Sequence, residues 1–212
     1  MTDRLRVMSV LNLRPRKLGS FEEYTIALSR VLTEQGSTSI LVFKDVPPEL
    51  LRSQYTDAGA VIEVKPFEPF GVESARALRS LLRGHRPDIL HLHFVNLLSL
   101  DAIAAGLSSG ARVVFSEHSS DVPKQRSALR WLMLRASKRA FSTLVDRFIG
   151  PSDYVNARLV QEGVPARKVR TIHNGVNVER FERASESDNV RAKYGIGSNS
   201  VLVVSISQLI PE

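Results

Sequence analysis

The 212 residues suit one large domain or one and a half small ones, and an apolar fraction of 43% is that of an ordinary globular protein with a sizeable core. There is no cysteine, which excludes disulfides, thiol catalysis and a cysteine-ligated metal site and fits a reducing compartment. A formal charge of +7 points to an acidic partner (nucleotide phosphates, anionic lipid or nucleic acid) or simply to a charged surface.

Leu5 to Leu13 is an apolar run of strand length, suited to a strand buried on both faces of a parallel sheet. It carries no signal-peptide cleavage pattern, and no later segment reaches the ~18 apolar residues of a membrane span, so a cytoplasmic protein is expected. After the polar loop Arg14 to Gly19, Ser20 is expected to cap a helix, Phe21 to Gln35. Glu22 and Glu23 suit its first turn, and Ile26, Leu28, Val31 and Leu32 fall near helical spacing. Gly36 ends it and Ser39 to Phe43 is a second strand. A phosphate, if one binds, would sit at this strand–loop–helix junction, where Gly19 lets a ligand approach the free N–H groups of the helix. An ordinary strand–helix turn is the alternative.

A short helix from Glu49 to Tyr55 leads to a strand, Ala60 to Val64. The loop Lys65 to Gly71 holds Phe67 and Phe70, which either shape a pocket or pack beneath the loop. Val72 to His85 is a helix with Ala75, Leu78, Leu81 and Leu82 on its buried side and Arg76, Arg79 and Arg83 outside. Ile89 to His93 is a strand in which His91 and His93 alternate with leucines and point to one side. A zinc pair would need a third ligand that no recognisable spacing supplies, so no metal is expected. His93, at the strand's carboxyl end, is the candidate for binding, and His91 that for a satisfied core histidine.

Leu97 to Leu107 is a small-residue helix, and Ala111 to Ser116 a strand ending in Ser116-Glu117-His118-Ser119-Ser120-Asp121. A Ser-His-Asp hydrolase built on Ser116, His118 and Asp121 fails on context, because there is no Gly-x-Ser-x-Gly elbow and adjacency in sequence is not triad geometry. Lys124 to Arg147 is expected to be one long helix with Arg126, Arg130, Arg135, Lys138 and Arg139 beside Trp131, Leu132, Leu134 and Phe141. Such a helix either lies on an anionic membrane or turns its apolar side to the sheet with the arginines solvated. Nucleic acid is not expected, since no binding motif accompanies the charge.

The most informative stretch is Phe148 to Phe181. Gly150-Pro151 stops a short apolar run, and Ser152 and Asp153 are natural N-cap residues for a helix, Tyr154 to Glu162. Gly163 closes that helix, Pro165 prevents its continuation, and Lys168 to Ile172 alternates as a half-buried strand. Asn174-Gly175 then makes a tight turn at the strand's carboxyl end, where open α/β sheets place ligands.

That order of parts resembles the hinge-proximal end of the first domain of family 4 glycosyltransferases of the GT-B fold. The residues that carry the resemblance are Pro151-Ser152, Glu162-Gly163-Val164, Lys168-Val169 and Asn174-Gly175-Val176-Asn177 with Phe181. Asp88-Ile89-Leu90-His91-Leu92-His93 similarly resembles the family's Asp-x-x-His-x-His strand end. The resemblance implies an α/β fold: a Rossmann-like doubly wound parallel sheet of about seven strands over residues 1–182. It further implies that His118 contacts the transferred sugar, tuned by a neighbour such as Glu117, and that Gly19 and Ser20 contact the donor diphosphate or the acceptor. Gly19-Ser20-Phe21-Glu22 stands where the family carries Gly-Gly-x-Glu. Asn174 and Gly175 would lie at the cleft edge, with His93, Glu117, Phe67 and Phe70 toward the substrate.

After Phe181 the polar stretch Glu182 to Asn189 reads as a linker, Val190 to Tyr194 as a helical turn and Val201 to Ile206 as a strand. By resemblance, residues 183–212 are a linker and the first strand of a donor domain, expected in cis or in trans. Gln208 stands where many members place a phosphate-binding arginine. The implied activity is transfer of a sugar, of hexosyltransferase type, from a nucleotide-sugar donor to a sugar, lipid-linked or small-molecule acceptor. Anomeric configuration would be retained, no metal or other cofactor is expected, and the 212 residues alone would be inactive. The alternative is a non-catalytic partner or membrane-associated binding module without a donor site.

Overall fold

The computed structural model describes residues 4–65, 72–119, 127–178, 190–197 and 199–204. Phe67, Phe70 and Asp121 lie outside the described residues. The chain divides into two compact units, Met1–Gly175 and Val176–Glu212.

The first unit alternates strand and helix: β1 (Arg6–Leu11), α1 (Ser20–Glu34), β2 (Thr38–Phe43), α2 (Glu49–Asp57), β3 (Ala60–Val64), α3 (Val72–His85), β4 (Ile89–His93), α4 (Leu100–Ser108), β5 (Arg112–Ser116), α5 (Ala128–Phe141), β6 (Arg147–Gly150), α6 (Asp153–Gln161) and β7 (Val169–Thr171). Among the described residues the strands form one parallel sheet of seven in the order β3-β2-β1-β4-β5-β6-β7. The order reverses between β1 and β4, where Leu11 stands beside His93. A crevice opens at such a point, outside the carboxyl ends of the strands.

The strands are apolar on both sides because helices cover both. Met8, Val10, Leu90, Leu92, Phe115 and Phe148 share one core with Leu78, Leu81 and Leu82 of α3, and Leu11, Leu41 and Phe43 share a smaller one with Leu51 and Tyr55 of α2. Arg76, Arg79 and Arg83 of α3 are exposed. Helix α1 differs from its periodicity. Its fully buried residues are Thr25 and Ser29, while Val31 is exposed. The small hydroxyls let the helix approach closely, with Ser29 Oγ 2.8 Å from Ser39 Oγ and Thr25 Oγ1 donating to Tyr55 Oη at 3.2 Å.

The expected helix from Lys124 to Arg147 is three elements. Within the described residues α5 ends at Phe141, a 3-10 turn covers Ser142–Leu144, and Arg147 already belongs to β6. Side-chain bonds from Ser142 to Arg139 O and from Thr143 to Ala140 O finish the helix. The Lys168 ammonium then donates to the carbonyls of Ser142 and Val145 at 2.8 and 2.6 Å, taking up acceptors that a continuing helix would have used. Lys168 itself closes a 3-10 turn, so β7 starts one residue later than the alternation suggested.

In the second unit Val190–Lys193 is a helical turn, and Arg191 Nη1 donates to Gly197 O and Ser200 O at 3.0 Å. Residues 201–204 of the expected strand are not in a strand, and Val201 is 90% exposed, since no described neighbour pairs with them. No helix among the described residues is long and apolar enough to cross a membrane.

Candidate functional site

A pocket of about 260 Å³ occupies the crevice beyond the strand ends. Each wall comes from a different strand–helix junction. The first turn of α1 gives Ser20, Phe21 and Tyr24, and β4 gives His93 and Phe94. The β5 end gives Ser116, Glu117 and His118, and β6 gives Ile149 and Pro151. Ile172, His173, Asn174 and Gly175 follow β7.

His93 and His118 line its floor, and His91 adjoins His93. His91 and His93, two apart on β4, face the same way with ring centroids 3.8 Å apart. His91 Nε2 is 2.8 Å from Ser116 Oγ on the neighbouring strand, which makes it the satisfied core histidine expected. His93 Nδ1 lies 3.0 Å from His118 Nε2, and among the described residues no atom bonds its buried Nε2. Burial holds all three neutral at pH 7. It pushes His118 down to about 4, and His91 also to about 4 with help from the charge on His118. His93 falls well below its ordinary value for the same reasons, burial first.

Aromatic rings complete the floor. Phe94 stacks on His118 at 4.3 Å, and Phe21 meets His93, Phe94 and His118 edge-on at 5.3, 4.9 and 5.2 Å. Phe94 has φ +56, a left-handed conformation costing a non-glycine residue about 1 kcal/mol or more. The Asn12 amide holds it there, donating to Phe94 O at 3.1 Å. Burial raises the Tyr24 phenol above its ordinary value, so it stays a neutral hydroxyl.

Glu117 lines the pocket but does not tune His118. Its Oε1 accepts the Ser119 N–H at 2.9 Å and faces the Arg158 guanidinium at 3.7 Å, and burial alone accounts for the depressed His118. The expected Ser20 cap is also absent. Gly19 occupies the N-cap position, and its N–H donates to Glu22 Oε2 at 3.0 Å, half of a capping box. Ser20 lines the pocket, whereas the Gly19 N–H is already taken.

Among the described residues no lysine or arginine lines the pocket, and no group of three His, Cys, Asp or Glu could hold a metal ion. With His93 and His118 neutral, the pocket's described lining offers aromatic and imidazole rings, hydroxyls, an amide and one engaged carboxylate.

The family model for Glycosyltransferase Family 4 matches residues 21–180, which include most of these walls. The chain belongs to glycosyltransferase family 4. Its fold is the one found in half of a GT-B glycosyltransferase. A glycosyltransferase from Rickettsia africae is similar over 93% of this chain and 51% of its own, with TM-score 0.65 and 15% identity. Anabaena HepE in complex with UDP and glucose is similar over 91% and 50%, with TM-score 0.62 and 16% identity. The UDP-N-acetylglucosamine 2-epimerase from Rickettsia bellii follows at 92% and 52%, TM-score 0.55 and 16% identity. The chain therefore spans about half the length of the solved structures it matches. No curated protein matches the sequence.

Of the family positions singled out in the sequence, Ser20, His93, Glu117, His118, Asn174 and Gly175 all stand around one pocket. His93, though it lines the pocket, is only 1% exposed and is in contact with His118. Phe21, Tyr24 and Phe94 went unread. Phe21 and Tyr24 are three apart on the helix turn that faces the crevice, and Phe94 directly follows the carboxyl end of a central strand, positions that point into the crevice of a doubly wound sheet.

Proposed function

We propose that this chain is the acceptor-side half of a glycosyltransferase that moves a sugar, of hexose type, from a nucleotide-sugar donor to an acceptor hydroxyl. Anomeric configuration is retained and no metal takes part. The observation that carries this reading is a crevice of hydrogen-bonding and aromatic groups that, among the described residues, has no lysine or arginine in its lining. Such a surface suits the hydroxyls and C–H faces of a sugar, and it does not suit a diphosphate. HepE, a fold relative, is complexed with UDP and glucose, which fits a nucleotide-sugar donor here.

In this reading His118 orients the transferred sugar. The proton between His93 Nδ1 and His118 Nε2 belongs to His93, because the opposite choice would leave a buried N–H on His93 Nε2 without an acceptor. His118 then carries its own proton on Nδ1 and donates it to a sugar hydroxyl. Ser20 and the Asn174-Gly175 backbone meet the donor at the cleft edge, and the charge of the leaving phosphate is stabilised by cations of the donor domain. This chain alone is inactive.

The test is turnover by the full-length protein with a panel of nucleotide sugars. His118→Ala lowers kcat by about a hundredfold or more with the fold intact. Unchanged turnover rejects the assignment of His118. Product of inverted configuration, or activity abolished by a chelator, rejects the retaining or metal-independent part.

A further inference from the structure

His173 is the histidine of the pocket that the floor does not use. It follows β7 in the run Ile172-His173-Asn174-Gly175, all four of which line the pocket. Its Nδ1 lies 3.1 Å from Pro151 O, beyond the end of β6. A carbonyl oxygen only accepts, so Nδ1 carries a proton whatever the charge of the ring. In the neutral ring the lone pair is therefore on Nε2. His173 is exposed, and among the described residues nothing bonds Nε2. The bond to Pro151 holds the ring in place, so that this acceptor is oriented before a ligand arrives.

Other lone pairs in the lining are engaged. Ser116 Oγ is 2.8 Å from His91 Nε2, and Glu117 Oε1 accepts the Ser119 N–H. In the reading above His118 presents an N–H. The pocket thus has a polarity, a donor at His118 and a bare acceptor at His173. A hydroxylated ring answers both, since each hydroxyl can accept and donate, whereas a phosphate or carboxylate oxygen has no hydrogen to give Nε2. The spacing fits as well. Ser116 pairs with Ile149 and Ile149 with Arg170, so the ends of β5 and β7 are level and two strand spacings, about 10 Å, apart. A ligand reaching both imidazoles across that gap has the size of a single sugar ring, and Ile149, Pro151 and Ile172 give its C–H faces an apolar wall.

We propose that His173 is a sugar ligand, its Nε2 accepting the hydrogen bond of a hydroxyl on the same ring whose other end takes the His118 N–H. The sugar and the His118 proton rest on the transferase reading; the second contact is added to it. His173 then determines specificity: a ring must carry a free hydroxyl at the carbon facing Nε2, and one that is deoxygenated there binds less well.

The test is ¹⁵N NMR of the imidazole rings of the 212-residue chain in mildly alkaline buffer. The chain is titrated with glucose, galactose, mannose and N-acetylglucosamine, and separately with pyrophosphate. At least one sugar shifts the His173 Nε2 signal saturably, in the direction of a lone pair that accepts a hydrogen bond, and shifts His118 with it. Pyrophosphate leaves His173 in place. Among the monodeoxy forms of that sugar, one loses the His173 shift and keeps that of His118. His173→Asn, whose amide still reaches Pro151 O from the place of Nδ1, weakens the sugar about fivefold with the fold kept. His173→Gln, which sets an acceptor near the place of Nε2, stays within about twofold of the native chain. No shift with any sugar, a shift with pyrophosphate alone, or full affinity in His173→Asn overturns the proposal. A sugar bound at His173 with no turnover of any nucleotide sugar by the full-length protein would keep His173 as a ligand and remove the transferase reading instead.

Discussion

His93 Nδ1 lies 3.0 Å from His118 Nε2, and the two rings are sealed from one side by Phe21. Two neutral imidazoles at this distance share one proton, so the tautomer of the residue facing the pocket is set by the residue behind it. His93 is thus a positioning residue. His93→Leu should leave His118 as a mixture of tautomers, read from its ring ¹⁵N shifts, and lower kcat of the full-length enzyme about tenfold with little change in KM. His93→Asn, whose amide can donate from nearly the same place as Nδ1, should restore the single tautomer. A single unchanged tautomer in His93→Leu would show that His93 only fills space.

The neutral histidines make stability depend on pH in a defined direction. Their folded pKa values lie below the unfolded value of about 6.5, so between that pH and 4 the unfolded chain binds more protons than the native one. Stability is full above pH 6.5 and falls as pH drops toward 4, by about 3 kcal/mol for His91 alone. Urea midpoints at pH 7, 6 and 5 check this, and His91→Gln should flatten the slope. A flat profile in the native chain would mean these rings are wet.

Gly163→Ala should cost at least about 2 kcal/mol, because the position combines a left-handed φ with a backbone oxygen of α5 in the way. Equilibrium unfolding measures it. A loss below about half a kcal/mol would mean that α5 and the end of α6 move apart freely.

Amides of residues 201–204 should exchange at close to free-peptide rates in this chain, while those of Val10 and Leu92 exchange slowly. Val201 and Val203 are 90 and 86% exposed, and no ladder holds their N–H groups. Protection at Val203 comparable with that at Leu92 would show a strand partner.

Much of the sheet was legible because buried parallel strands announce themselves. Ile89 to His93 and Ala60 to Val64 read as apolar runs between turn residues, and the structure has the same bounds. That His118 and Asn174 stand beside the crevice was legible too, His118 from the family resemblance and Asn174 from a tight turn at a strand's carboxyl end. What stayed hidden depended on orientation. Periodicity gives α5 apolar residues on two sides, Leu134 and Phe141 on one and Leu129, Leu132 and Met133 on the other, without saying which side the sheet takes. In α1 the favoured stripe lost to Thr25 and Ser29, whose hydroxyls find partners and so admit closer packing than Val31 would. The conformation of Phe94 was not legible, because an aromatic residue at φ +56 goes against local preference and is held by Asn12, far away in sequence.

Because α5 leaves none of its side chains wholly inside, its outward residues are decoupled from the fold's thermodynamics. Leu129, Leu132 and Met133 can drift among homologues at almost no structural penalty, whereas Gly163 and Phe141 cannot. Divergence within the family at this helix would therefore record where each member works in the cell, and constancy at the histidine floor would record what each member does there.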